Sequence, residues 1–401
     1  SGDYEFKPKA EREYIFDHMW KQVKEKFYDP GLHGVDWDYY KENYSKFLPY
    51  INNNFDFQEL LSEILGELNA SHTGGRYQYR SGLNMGTLGV LYDEDYEGDG
   101  LKIKEVLPDG VLSIAYPELK AGDIIASIDG NEIKAGKDWY SLLTGKAGKK
   151  TSITIKKGGK KDVEVFVKPA FTDYNLMYKR WVKQREAKVA ELSGGKVGYV
   201  HVEGMNSPSF REVYSKALGK YRTAGALVVD TRHNGGGWLH DDLVTFLSGK
   251  AYVEYKPRGQ YIGTDPYSKW TKPSCVLVCE DNYSDACGFP YAYQALGIGK
   301  LIGTPVAGTM TAVWWENQIN SSIIFGIPQV GSWCIKDGYY NENHQVNPDI
   351  LVYNGFHAQR RGQAVGSGCR RDAEGSKQID SITLWKTEKL SLSRLITRRR
   401  T

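Results

Sequence analysis

The sequence predicts a multidomain α/β protein with a helical N-terminal domain, a β-rich middle domain and an α/β layered C-terminal domain. Three observations carry that prediction. Apolar residues recur at helical spacing through the first eighty residues, β-rich segments broken by turn signals follow, and beyond Gly195 apolar strands alternate with helical stretches. At 401 residues, 40% hydrophobic and 25% charged, the chain has the composition of globular protein and length for two or three cores.

From Lys9 to Tyr28 the residues Tyr14, Ile15, Met19, Trp20, Val23 and Phe27 define one apolar helix face. Phe57, Leu60, Leu61, Ile64, Leu65 and Leu68 define a second, ending at Asn69. Residues 1–80 therefore read as a helical domain. Residues 84–169 read as a β domain: the strands and turns of TLGVLYDEDYEGDGLKIKEVLPDG and DIIASIDGNEI, a short helix in KDWYSLLTG, and a hairpin in TSITIKKGGKKDVEVFVKP. In residues 170–354 the strands VGYVHV, GALVVDTR, SCVLVCE and KLIGTPVAG alternate with the helical stretches FREVYSKALGKY, WLHDDLVTFLSG and FPYAYQALG.

Composition removes several classes of function. The net charge is +3, but residues 355–401 carry 11 Lys/Arg against 4 Asp/Glu, which leaves 41 against 45 in the rest. The main body is therefore mildly acidic, and a nucleic-acid partner is not expected. No apolar run is long enough to span a membrane, and the start SGDYEFKPKAERE has no signal-peptide pattern. The five cysteines include no CxxC pair and no metal-ligand spacing with the eight histidines, so neither a zinc site nor a disulfide scaffold is expected.

Two turns in the α/β part could carry chemistry. DTRHNGGGW follows a buried strand and opens a helix, so Gly235, Gly236 and Gly237 can bring backbone amides to a phosphate or a developing oxyanion. A P-loop ending is missing, and GIGKLIG lacks the dinucleotide spacing. DNYSDACG, in the next unit, places Ser284 at the same strand-to-helix position with the Asp285 amide beside it; two such donors aimed at one oxygen form an oxyanion hole. No G-x-S-x-G elbow is present, which disfavours an α/β-hydrolase. A base could come from LNASHTGG, where Ser71 and His72 follow a helix, although a loop histidine taken alone is more often structural.

In the middle domain, Leu88, Gly89 and Val90 together with LKAGDIIASIDG resemble a PDZ domain of the bacterial protease type. The resemblance implies that the 88–90 amides receive a peptide carboxylate while a strand edge adds the extended peptide. A β domain serving only as a spacer is the plainer reading.

The order of Ser-His after a helical domain, a PDZ-like domain, the GGG loop, the Ser-Asp turn before a helix and LGIGKLIGT, and Glu-Asn before Val-x-Pro-Asp resembles the catalytic half of tricorn protease and the C-terminal processing serine proteases over roughly residues 8–354. The resemblance implies a crotonase-like α/β serine protease domain. It makes Ser284 the nucleophile, His72 the general base, and Ser71 the relay of a hydrogen bond from Glu342 to the imidazole. The amides of Gly237 and Asp285 would receive the oxyanion, so Asp285→Asn is expected to be tolerated better than Ser284→Ala. His344 is a rival base without a family role.

Some positions depart from the pattern. The aspartate that selects basic P1 residues in tricorn falls at Tyr255, which points to an apolar or mixed preference. The β-propellers that precede this half in tricorn have no counterpart in the sequence. Cys287 and Gly288 stand where relatives often carry acidic residues, and Cys287 is expected to serve packing.

Where relatives close the α/β domain with an amphipathic helix, residues 355–401 are basic and glycine-containing. Back-translating Gly362 to Asp380 with permitted codons and moving one base forward gives DRQLEAAVEEMLKEANK and a stop, so a single-base slip near Gly355 is the favoured explanation of this tail over a genuine disordered extension.

The expected activity is a serine peptidase acting on peptides or unfolded polypeptides through an acyl-enzyme, without cofactor or metal, with self-assembly left open. The compartment stays open between cytoplasm and periplasm. A catalytically inactive PDZ peptide-binding protein and a crotonase-type acyl-CoA enzyme are the competing readings.

Overall fold

The computed structural model describes residues 7–79, 84–158 and 161–353; the tail from Gly355 onward, with its proposed frame slip, lies outside the described residues. The described residues form two compact units, one drawn from residues up to 78 and from 188 to 353, the other from residues 79–187.

In the first unit, the helices Pro8–Lys26, Trp37–Ser45 and Asn54–Gly66 follow the apolar periodicity. Ile15, Met19, Val23, Phe57, Leu60, Leu61, Ile64, Leu65 and Leu68 are buried in one core, whereas Tyr14 faces outward and Phe16 takes its place. Asp36 and Asn53 cap the second and third helices by accepting the N–H groups of Tyr39 and Asp56, each at 3.0 Å.

That core also takes in Ile323, Phe325 and Ile327, which the alternation of strands and helices did not anticipate. They belong to the long strand Ile323–Gly331, which pairs antiparallel with Thr311–Asn317 on one side and with Gly74–Tyr77 on the other. The helical segment and the α/β segment thus share one compact unit. Gly75 permits the close approach: a Cβ there would stand 2.9 Å from Leu61 Cβ and 3.0 Å from Gln58 O. The short stretch between Gly66 and Gly74, which holds Ser71 and His72, is fixed at one end by the packed helix and at the other by this pairing.

The remainder of the unit is built on a five-stranded parallel sheet in the order Ile350–Leu351, Lys300–Gly303, Ser274–Val278, Ala226–Asp230, Val197–His201. Its two last strands are buried at every residue, which is why they read as continuous apolar runs. The helices Ser207–Ser215, His240–Leu247 and Asp285–Ala295 contribute Val213, Leu243, Phe246, Leu247, Phe289 and Tyr293 to the core. Two of those helices begin directly after the glycine and serine turns.

The second unit is a sheet in the order Val90–Tyr92, Leu101–Val106, Ile124–Ile128, Thr151–Lys156, Val163–Val167, with Asn131–Glu132 pairing the third strand. Val90–Tyr92 lies at an edge of that sheet. Leu88, Ile103, Leu112, Ile125, Ile153 and Ile155 fill the core. Gly89 has φ +73° and a Cβ there would lie 2.6 Å from Gly110 Cα, so only glycine fits. No described helix is long and apolar enough to cross a membrane.

Candidate active site

Ser284 stands between the strand Ser274–Val278 and the helix Asp285–Ala295, with φ 58° and ψ −127°. A non-glycine residue in that region costs about 1–3 kcal/mol and persists only where its surroundings enforce it. They do so here. Ser284 N–H donates to Thr309 Oγ1 at 3.0 Å, and Tyr283 N–H donates to Asn234 O at 3.0 Å. The buried Asn282 side chain accepts Cys279 N–H at 3.2 Å and donates to Thr231 Oγ1 at 2.9 Å and Ala286 O at 3.1 Å. The last contact satisfies the carbonyl that Pro290, inside the helix, has no N–H to reach.

The glycine turn closes against this serine. Gly236 has φ +98°, and a Cβ there would lie 2.6 Å from Ser284 Cβ and 3.2 Å from Asp285 N. Gly237 has φ +139°, and its Cβ would collide with Met205 O at 2.1 Å. Met205 N–H donates to Gly236 O at 2.9 Å, Trp238 N–H to Met205 O at 2.7 Å, and Gly236 N–H to Asn234 Oδ1 at 2.8 Å. Among the described residues, neither Gly237 N–H nor Asp285 N–H donates to a protein acceptor. One peptide separates the Gly237 amide from the glycine that abuts Asp285. Two free donors beside a serine hydroxyl can stabilise a developing oxyanion.

His72 also stands at positive φ (61°) and anchors a second network. Its Nδ1 lies 2.8 Å from Ser71 Oγ and 3.0 Å from Thr311 Oγ1. Ser71 Oγ donates to Glu342 Oε2 at 3.0 Å, and Ser71 N–H donates to Glu342 Oε1 at 2.5 Å. Because the single Ser71 hydroxyl proton goes to Glu342, Ser71 Oγ accepts from Nδ1–H, which leaves the lone pair on His72 Nε2. Burial, and secondarily the charge of Arg76, push the His72 imidazolium down to about 4, so the ring is neutral at neutral pH. Glu342 is 3% exposed; burial raises its carboxyl, while the two bonds from Ser71 pull the other way.

The structure joins His72 to the serine turn through Tyr283. The Tyr283 hydroxyl accepts His72 N–H at 2.8 Å, and the two rings pack with centroids 4.6 Å apart. Ser284 Oγ makes no hydrogen bond to the imidazole among the described residues. Tyr283 and Thr311 were missed from the sequence, since a tyrosine one residue before a serine and a threonine in a strand carry no signal of their own. Gly326 makes room for the histidine backbone: a Cβ there would lie 2.7 Å from His72 O.

Four other positions resolve. His344 stacks on Tyr339 with centroids 4.0 Å apart and its Nδ1 lies 2.9 Å from Glu342 O. Cys287 is fully buried and its Sγ contacts Asn341 Oδ1 at 3.0 Å, as a packing cysteine. Tyr255 is exposed on the hairpin Val253–Tyr255/Gly263–Asp265, where its hydroxyl donates to the Asp265 carboxylate. Asp285 is more than an amide: its buried carboxylate accepts Leu239 N–H at 2.5 Å, His240 N–H at 3.0 Å and His240 Nδ1–H. It thereby satisfies the N-terminus of the helix that follows the glycine turn.

In the second unit, Gly89 N–H, expected to meet a peptide carboxylate together with Leu88 and Val90, donates to Asp173 Oδ2 at 3.1 Å. Asp173 Oδ1 accepts Thr87 Oγ1 at 2.9 Å.

Comparison with known proteins finds relatives for each of the three segments. Residues 8–66 match the tricorn protease C1 domain, residues 113–170 the tricorn protease PDZ domain and residues 196–352 peptidase family S41. Tricorn protease homolog 1 of Streptomyces coelicolor is 30% identical over 356 residues, covering 86% of this chain and 33% of that protein. Tricorn protease of Thermoplasma volcanium is 25% identical over 347 residues, covering 84% and 34%. The crystal structure of the tricorn protease superposes with a TM-score of 0.79 at 22% identity, covering 88% of this chain and 35% of the other. The chain spans about a third of the length of these relatives.

Proposed function

We propose, from the premise that this chain belongs to the tricorn group of peptidase family S41, that it hydrolyses peptides or unfolded polypeptides through an acyl-enzyme on Ser284. The observation that carries the proposal is the relay Glu342–Ser71–His72, which leaves a neutral imidazole with a free Nε2 and is clasped to the residue before Ser284.

His72 Nε2 takes the proton of Ser284 Oγ as that oxygen bonds to the substrate carbonyl carbon. The carbonyl oxygen, now negative, is received by Gly237 N–H and Asp285 N–H. The imidazolium, stabilised through Ser71 by Glu342, returns the proton to the departing amine as the peptide bond breaks. Water then repeats the sequence on the ester and frees Ser284. The surrounding architecture is read as crotonase-like. Tyr255, in place of an acidic residue, favours apolar or mixed P1 side chains, and Val90–Tyr92, at a sheet edge, favours capture of an extended peptide by the second unit. Self-assembly is compatible with this reading.

Hydrolysis of labelled casein and of a P1-varied peptide panel by the wild type and Ser284→Ala tests the assignment. Loss of turnover with retained peptide binding supports it. Equal rates would remove Ser284 from the mechanism, and absence of turnover in the wild type would favour a peptide-binding protein.

A further inference from the structure

At the stems of the two catalytic turns, His233, Cys279 and Asp281 bring an imidazole nitrogen, a sulfur and a carboxylate oxygen within 4.8 Å of one another. His233 Nδ1 lies 2.7 Å from Asp281 Oδ2 and 4.0 Å from Cys279 Sγ, and His233 N–H donates to the same sulfur at 3.3 Å. Cys279 closes the inner side, 8% exposed, while the His233 and Asp281 side chains are 60% and 61% exposed. The group has a buried soft donor, two largely exposed borderline or hard donors, and an outer side open to water.

We propose that His233, Cys279 and Asp281 form a binding site for one zinc-class divalent cation, and that its occupancy slows peptide hydrolysis. The donor set of thiolate, imidazole and carboxylate with water as fourth ligand suits tetrahedral zinc better than magnesium or calcium, which take oxygen ligands. Coordination converts Cys279 Sγ–H to thiolate, with the proton passing to solvent. Ideal bond lengths of about 2.0–2.3 Å put the nitrogen and oxygen about 3.3 Å apart and the sulfur about 3.6 Å from the nitrogen. Loading the site therefore parts His233 from Asp281 and draws the sulfur inward, each by a few tenths of an ångström.

The position of the site gives that movement a consequence. Three residues after His233 comes Gly236, which abuts Ser284; three residues after Asp281 comes Ser284 itself. Cys279 is buried and its sulfur accepts the His233 N–H at 3.3 Å, so movement of the sulfur is passed to the backbone of both stems; catalytic groups tolerate displacements of only about 0.5 Å, and the serine is misaligned against the Gly237 and Asp285 amides. This slowing rests on the peptidase reading, whereas the metal site does not. The histidine and the two acceptors lie 46 and 48 residues apart in sequence, on turns after neighbouring parallel strands, so no local spacing could announce them.

Titration of the metal-stripped full chain with cobalt(II) tests the site through the thiolate-to-cobalt charge-transfer absorption, with zinc as displacing competitor. One equivalent is expected to give the band, Cys279→Ser to lose it, and His233→Ala and Asp281→Asn to bind about tenfold or more weakly, the scale at which even an outer partner's loss weakens a metal site. Circular dichroism confirms that each variant is folded; His233 and Asp281 are exposed, so their variants keep the test valid if Cys279→Ser unfolds. Absence of the band, or a band unchanged in His233→Ala, overturns the site. Zinc is expected to slow wild-type hydrolysis and to leave His233→Ala unaffected at the same concentration. Binding without slowing overturns the regulatory half alone, and if no hydrolysis is found the absorption titration still decides the site.

Discussion

The Tyr283 hydroxyl accepts the backbone N–H of His72 at 2.8 Å while its ring lies against the imidazole, so the residue before the serine holds a residue 211 positions away. Tyr283→Phe keeps the ring and removes the acceptor. A single neutral hydrogen bond contributes about 1 kcal/mol, and a loss of that size in the aligned state lowers kcat by about fivefold with KM little changed. Steady-state kinetics on one peptide would show it; a change confined to KM would place Tyr283 in substrate binding instead.

The pH profile should reflect the burial of His72. The imidazole must be neutral to accept the serine proton, and burial together with Arg76 sets its titration at about 4. Activity therefore rises with pH through that region and is level across the ordinary imidazole range near 6.5, where a solvated histidine base would still be titrating. Measuring kcat/KM against pH checks this, with folding monitored in parallel. Glu342→Gln leaves an amide whose NH₂ faces one of the two Ser71 donors. By analogy with a triad whose acid becomes an amide, rates fall by about two to four orders of magnitude.

The glycine turn offers an internal control. Gly236→Ala places a methyl 2.6 Å from Ser284 Cβ at a φ of +98°, whereas a Cβ on Gly235 meets nothing within 4 Å. Gly236→Ala should abolish hydrolysis and lower stability by about 1–3 kcal/mol, and Gly235→Ala should leave both near wild type. Chemical denaturation and peptide turnover on the pair separate the two positions.

How much of this was legible in the sequence depended on the range of the interaction. The faces carrying Ile15, Met19, Val23 and Phe57 to Leu68 follow from helical periodicity, and the buried strands around Val229 and Val276 from apolar runs between turn signals. The relay from Glu342 through Ser71 to His72 came from a resemblance of ordered motifs, since no periodicity spans the 271 positions from Ser71 to Glu342. Thr311, Tyr283 and the Ile323–Gly331 strand that fixes residue 74 were not foreseen, because their roles arise only when distant backbone segments pair.

Asp173 occupies an amide that the resemblance assigns to a peptide carboxylate: Gly89 N–H donates to its Oδ2, and Thr87 Oγ1 to its Oδ1. Asp173→Ala should free that donor. Fluorescence anisotropy with a peptide ending in a free carboxylate is expected to show tighter binding to the variant by about fivefold, the scale of one hydrogen bond, and no change with the amidated peptide. Weaker binding would mean that Asp173 supports the loop that it contacts.

Asp285 was expected to matter through its amide alone, and its carboxylate changes the prediction. Asp285→Asn can keep a side-chain oxygen on the Leu239 and His240 amides, where Asp285 places Oδ2, and turn its NH₂ toward His240 Nδ1, provided that the imidazole is neutral and carries its proton on Nε2. Asp285→Ala leaves both helix amides and the ring without that partner, and should cost about 3–5 kcal/mol against about 1–3 kcal/mol for the asparagine. The Asp285 carboxylate, its largest influence, raises the His240 imidazolium above the ordinary value. A raised folded value means that this stabilisation is fully present below the unfolded pKa near 6.5 and is lost as pH rises through the folded one. The stability gap between wild type and Asp285→Asn should therefore be widest in mild acid and shrink in alkali, as urea denaturation at the two extremes would measure. Turnover per folded molecule should stay close to wild type in Asp285→Asn, because the amide that would receive the oxyanion is untouched, whereas Ser284→Ala removes the attacking oxygen itself.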